Sequence, residues 1–150
     1  MKKFALVLCA ALLIIAAIWS TAQTKSLERS PYGAERELSE ISMTVREGTV
    51  GPQAETVTLV IKNLSGKRFD YGAPYEIEKL KGGVWYSYPP EEDMAFIMIL
   101  YMIEPNGTVE EAISLYSFYG ALEPGTYRVV KSFNAEDGTQ GVVFAVFAIK

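Results

Sequence analysis

The fold of this chain follows from one stretch, Tyr119-Gly120-Ala121-Leu122-Glu123-Pro124-Gly125-Thr126-Tyr127-Arg128-Val129-Val130. Pro124 and Gly125 predict a corner that leads directly into a strand, and Tyr127 follows two residues after the glycine. This layout is typical of a tyrosine corner, in which the phenol hydroxyl bonds to backbone a few residues upstream and fixes a crossover between two sheets. We therefore predict a structural corner made by Leu122, Pro124, Gly125 and Tyr127, in a binding or structural module.

The segments around the corner alternate apolar and polar residues with a period of two, which is typical of half-buried strands. Inward faces are predicted for two of them, Ile41, Met43 and Val45 in the first and Val57, Leu59 and Ile61 in the second. The later strands are expected at Tyr75–Leu80, Val84–Tyr88, Phe96–Ile103, Val109–Leu115, Thr126–Phe133 and Val142–Ile149. Glycine-rich or proline-containing turns separate them. About seven to eight short strands without a convincing helix predict an all-β, immunoglobulin-like β-sandwich.

The N-terminus predicts export. Lys2 and Lys3 precede an unbroken apolar run, Phe4–Trp19, and the small residues of Ser20-Thr21-Ala22 fit a signal peptidase site. We predict a signal peptide over residues 1–22, a polar spacer over 23–38 and the sandwich domain over 39–150. Cleavage after Ala22 is favoured, and retention of the run as an anchor helix is the alternative. The chain is thus expected outside the cytoplasm, secreted or anchored at the cell surface.

Composition excludes several classes of partner. Loss of residues 1–22 leaves 12 basic and 18 acidic residues, a net charge of −6, with no cluster of Lys or Arg. Such a surface repels phosphate backbones, so we expect no nucleic acid partner. We expect contact with membrane only through an uncleaved N-terminal segment.

The residues available for catalysis are few. The chain contains no histidine, and its single cysteine, Cys9, lies within the apolar run, which excludes the usual nucleophilic triads and the ordinary zinc and copper sites. Two carboxylates could still act as a catalytic acid and base. The candidates for such a pair are Glu91, Glu92, Asp93, Glu110 and Glu111. Charge runs are usually solvated, so we predict no catalytic residue, no metal and no cofactor. Asp137-Gly138 is interpreted as a hairpin turn rather than a calcium ligand.

The segment Met94–Ile103 is apolar on both of its alternating faces. One face can enter the core, and the other must be covered by the chain itself, which is the favoured interpretation, or by a partner. The candidate interface residues are Ile97, Ile99 and Tyr101, with Phe96, Met98 and Leu100 as the alternative face. Trp85, alone on the face opposite Tyr86 and Tyr88, is added as a candidate for protein or sugar contact.

The ordered set Val57–Asn63, Tyr71-Gly72, Tyr75–Leu80, Val84–Tyr86 and Tyr119–Lys131 resembles the bacterial immunoglobulin-like domains of exported and membrane-anchored Gram-positive proteins. The resemblance implies a small extracytoplasmic sandwich without shared catalytic residues or an agreed ligand. We predict a non-catalytic module for protein recognition, with another envelope protein as partner, or for structural spacing at the cell surface. The alternatives are a sandwich resembling protease inhibitors, presenting Arg46–Gln53 or Ser87–Asp93, and a carbohydrate-binding module. The sequence leaves the oligomeric state open.

Overall fold

A computed structural model describes residues 27–47, 50–51, 53–91 and 93–150. The predicted signal or anchor segment, residues 1–22, lies outside them. The described strands are β1 (Ile41–Val45), β2 (Thr56–Asn63), β3 (Phe69–Gly72), β4 (Glu76–Lys81), β5 (Val84–Tyr88), β6 (Leu100–Ile103), β7 (Thr108–Ser114), β8 (Gly125–Ala135) and β9 (Gln140–Ile149). A 3-10 turn, Ala34–Arg36, precedes β1, and a one-turn helix, α1 (Tyr116–Tyr119), precedes β8.

Two antiparallel sheets pack face to face, which confirms the predicted sandwich. The small sheet has the order β1-β2-β7. In the large sheet β9 pairs with one edge of β8, while β4 and β3 follow one another along the other edge. Strand β5 lies beyond β4, and β6 lies beyond β3. Strand β3 was not predicted, because four residues that include Asp70 and Gly72 give too short an alternation.

The core follows the predicted alternation. Val57, Leu59 and Ile61 of β2 are fully buried. Because successive side chains of a strand point to opposite faces, the same rule places Tyr127, Val129 and Phe133 of β8 against them in the interior. The buried apolar cluster runs from residue 38 to residue 149. The described part of the chain therefore contains a complete core of its own.

The corner before β8 has the geometry that its sequence suggests. The Tyr127 hydroxyl donates to the backbone carbonyl of Glu123 at 2.8 Å, and the Tyr127 side chain is fully buried. Gly125 has φ of 156°, and a Cβ there would lie 3.3 Å from Lys79 Cε. Leu122 is buried beneath the turn, whereas Pro124 is exposed. Glycine thus lets the chain pass close to Lys79 while tyrosine fixes the turn.

Residues 28–38, here called the strap, cross the outer face of the large sheet. At one end Ser30 N donates to Trp85 O at 3.0 Å, which adds a short antiparallel segment to β5. At the other end Leu38 N donates to Val142 O at 3.0 Å, in a parallel bridge with β9. These residues fall within the predicted spacer 23–38, so the part of that segment from residue 28 onward lies against the domain. The proposed boundaries at 22 and 38 stay predictions.

Candidate functional site

The most exposed apolar surface of the described residues lies at one side of the large sheet. We call it the apolar edge and define it as Ile97, Met98, Ile99, Leu100 and Met102. Their relative exposures are 73%, 105%, 40%, 63% and 57%. No described residue covers them, and the expectation that the chain's own residues do so stays a prediction for the residues outside the described ranges. Contiguous apolar exposure of this kind is typical of interaction sites.

A local turn places these side chains outward. Phe96 packs edge-on against Tyr75, with ring centroids 5.5 Å apart, and Tyr101 stacks on Tyr71 at 5.3 Å. Between them Ile99 N donates to Ile97 O at 2.9 Å, a bond that spans two residues. This turn breaks the alternation, so Phe96 and Tyr101 both face inward although five positions separate them. The predicted strand Phe96–Ile103 is therefore shortened to β6, Leu100–Ile103.

The apolar edge also carries unpaired backbone. Among the described strands β6 pairs with β3, in a register that sets Tyr101 opposite Tyr71. No strand among the described residues pairs with the other side of β6. The N–H and C=O groups on an unpaired side of an edge strand can accept another strand. Leu100 and Met102 project from the outer face beside these groups, so the edge offers both backbone bonds and apolar contact.

The structure separates the four predicted interface residues. Ile97 and Ile99 lie on the apolar edge, but Tyr101 faces the interior. Trp85 lies on β5, and the Arg128 guanidinium is 4.5 Å from its ring centre. Met102 was missed, although Ile103 is buried and alternation from that residue places Met102 outward.

The outer face around Trp85 is closed by charge pairing. Arg128 Nε donates to Glu78 Oε2 at 2.6 Å, and Glu78 is fully buried. The same guanidinium lies 3.7 Å from the ring centre of Phe144. Ser30 of the strap accepts a further bond from Arg128 at 3.3 Å. Trp85 is thus half-buried and in cation–π contact with the Arg128 guanidinium.

The paired carboxylates of β7 have different surroundings. Glu110 is exposed and forms an ion pair with Arg46. Glu111 points into the sandwich, where its Oε1 accepts a bond from Lys131 Nζ at 2.8 Å. The solvated interpretation is therefore wrong for Glu111, because alternate residues of β7 face the core. Burial lowers the pKa of Lys131, and the bond to Glu111 opposes that change. The pair joins the two sheets through a charge-assisted hydrogen bond.

The other acidic candidates lie apart from this pair. Glu91 and Asp93 are exposed, and Glu92 lies outside the described residues. Asp137 accepts bonds from Lys67 Nζ at 2.9 Å and from Thr139 N at 3.0 Å. The bond from Lys67 lowers the pKa of Asp137. These bonds, with a φ of 88° at Gly138, fit the interpretation of this segment as a hairpin turn.

Comparison with known proteins identifies the family of this sandwich. The family model described as a bacterial Ig-like domain matches residues 37–145. The chain belongs to the bacterial Ig-like domain family. Bacterial Ig-like domains are generally non-catalytic modules and are typically extracellular or surface-associated. No curated protein matches the chain.

The match to the bacterial Ig-like domain family begins where the strap joins β9. Residue 37 forms the parallel bridge with Val142. In the part of the chain that the structure describes, no group of acidic, histidine or cysteine side chains is arranged to hold a metal ion. No helix in the same residues is both long and apolar enough to cross a bilayer.

Proposed function

We propose that this bacterial Ig-like domain is an exported, non-catalytic module that recognises another protein at the cell surface through its apolar edge. The observation that carries the proposal is the exposure of five large apolar side chains beside an unpaired strand edge. An incoming strand can complete the backbone bonds of β6, which supplies affinity. Leu100 and Met102, flanked by flexible methionine at position 98, supply the apolar contacts.

The proposal is tested by photo-crosslinking in the envelope of cells that make the protein. A photoreactive residue replaces Ile99 on the edge in one variant and Val146 in another. Val146 is a matched control because it is 58% exposed, against 57% for Met102, and lies on β9 at the far side of the sheet. We expect a discrete protein adduct from position 99 and no discrete adduct from position 146.

The charge variants Leu100→Lys and Met102→Lys should abolish the adduct from position 99, while Val146→Lys should leave it intact. Each variant places a new charge at an exposed position, so the folded domain should tolerate it. Circular dichroism and the urea midpoint verify that tolerance. An adduct from position 99 no stronger than that from 146, or one that persists in Leu100→Lys, would overturn the proposal.

A further inference from the structure

The segment Met94–Ile103 contains no charged residue, although the chain without residues 1–22 has a net charge of −6. Carboxylates flank the segment at both ends, with Asp93 before it and Glu104 after it, and both are exposed. Any occupant of the apolar edge must therefore match an uncharged strip bounded by negative charge. An anionic lipid surface does not, because the flanking carboxylates repel it.

We propose that the occupant of the apolar edge is a second copy of this chain, joined to the first by antiparallel pairing of β6 with β6. The inference rests on the proposed function of this edge in protein recognition. It specifies that the recognised protein is identical to the one that recognises it. A two-fold contact of this kind uses the same patch twice and is the commonest form of homo-oligomer.

The sequence of β6 suits a two-fold axis at Tyr101. Antiparallel pairing about this residue sets Leu100 of each copy opposite Met102 of the other. Both side chains lie on the outer face, so an apolar side chain of one copy contacts an apolar side chain of the other on either side of the axis. Ile103, which ends β6, is buried in the core of its own copy, so the outward contacts of this register are those of Leu100 and Met102.

Charge is compatible with the same register. Glu104 of each copy directly follows β6 and lies beside the residues that precede β6 of the other copy, and residues 94–99 carry no charge. Two acidic molecules can therefore meet at this edge without direct repulsion. Higher salt should preserve or strengthen the pair, because screening reduces the repulsion between the net charges. A basic partner would show the opposite dependence on salt.

The first test is sedimentation equilibrium of residues 23–150, which contain the complete core, at about 50 mM and about 500 mM salt. We expect a monomer–dimer equilibrium that is at least as strong at high salt. Leu100→Lys and Met102→Lys should each weaken it at least about ten-fold, whereas Val146→Lys should not change it. A monomer at all concentrations, or a dimer insensitive to both edge variants, would overturn the inference.

The second test reads the register. Residues 23–150 contain no cysteine, so Leu100→Cys and Met102→Cys proteins each carry one thiol. Directly opposite side chains have Cβ atoms about 4.5–5.5 Å apart, against about 7–8 Å on the diagonal. Oxidation of a mixture of the Leu100→Cys and Met102→Cys proteins should therefore give the mixed disulfide in preference to either homodisulfide. The control Val146→Cys should form no disulfide with either protein. Equal yields of all pairs would refute this register.

The outcomes separate the inference from the proposed function. If the adduct from position 99 contains a different protein and the isolated chain is monomeric, the recognition function holds and the second copy is excluded. If no adduct forms and the isolated chain is monomeric, both fail. Edge-dependent binding to vesicles of phosphatidylglycerol and phosphatidylethanolamine, with no dimer, would identify a membrane as the occupant and would also overturn both.

Discussion

Replacing Glu111 by Gln tests the ion pair that joins the two sheets. The Lys131 side chain is 0% exposed and that of Glu111 is 14% exposed, with 2.8 Å between Nζ and Oε1. The substitution removes the negative charge beside the buried Lys131 ammonium, although the amide oxygen of Gln and Ala73 O, at 3.4 Å, can still accept hydrogen bonds from it. Breaking a buried pair from one side costs about 3–5 kcal/mol. Domains of this kind have a total unfolding free energy of about 5–15 kcal/mol, so the loss should be large.

The assay is urea denaturation of residues 23–150 followed by tryptophan fluorescence. Glu110→Gln is the matched control, because it alters the neighbouring residue on the exposed face of β7 and should cost less than about 1 kcal/mol. The double variant Glu111→Leu with Lys131→Met removes both charges. It should recover most of the loss, since apolar replacement of a whole buried pair is often neutral or stabilising.

The pH dependence of Glu111→Gln has a definite sign. Burial already lowers the pKa of Lys131 in the folded state, and loss of the Glu111 carboxylate removes a contribution that raises it. Between this lowered pKa and the ordinary value of about 10.5, the unfolded chain binds more protons than the folded chain, so stability rises with pH. The deficit of the variant should thus shrink as pH rises from 7 towards 10. A loss equal to that of Glu110→Gln, or a deficit that grows with pH, would refute the reasoning.

Three further predictions concern other parts of the sandwich. Tyr127→Phe removes the bond to Glu123 O and should lower the unfolding free energy by about 1–3 kcal/mol in urea denaturation; an unchanged midpoint would contradict the structural role of the corner. Burial raises the pKa values of Tyr71 and Tyr75 to about 12. Their folded-state pKa values exceed the unfolded value of about 10, so this stability is present below pH 10 and is lost towards pH 12. Phenolate absorbance should show a late-titrating group, and titration of every tyrosine near pH 10 with the fold intact would disprove it. Gly141→Ala would place a Cβ 2.6 Å from Arg36 O, so hydrogen exchange at the strap should accelerate; the Gly66→Ala control, with open space at its Cβ, should show no change.

Much of the sandwich could be predicted because alternation is a local signal. Val57, Leu59 and Ile61 are buried as their spacing predicts, and Gly82 and Gly83, with φ of 56° and 78°, form the predicted hairpin turn. The Tyr127 bond likewise spans only four residues. In each case the residues that decide the structure are neighbours in sequence.

The remaining features depend on contacts between distant residues. Lys131 and Glu111 belong to different sheets, and a charged residue within an alternating strand gives no sign of a partner across the core. The turn at Ile97–Ile99, made by one backbone hydrogen bond, interrupts the alternation. Tyr101 therefore faces inward, although the alternation predicts it on the same face as Ile97 and Ile99. Trp85 is in contact with Arg128, which lies on another strand and is held in place by its ion pair with Glu78. Sequence patterns predict which side of a strand is buried, but they do not predict which residues of other strands it contacts.

The parallel bridge between the strap and β9 also bears on the timing of folding. Leu38 and Val142 are 104 positions apart, and their bond closes a long loop. Contacts between such remote positions form late, because the long intervening loop must first be ordered. A chain threaded through a translocation channel from its N-terminus cannot make this bond until residue 142 has emerged. In the export proposed above, the loop between residues 38 and 142 would therefore remain open during translocation and close only after residue 142 has passed the channel.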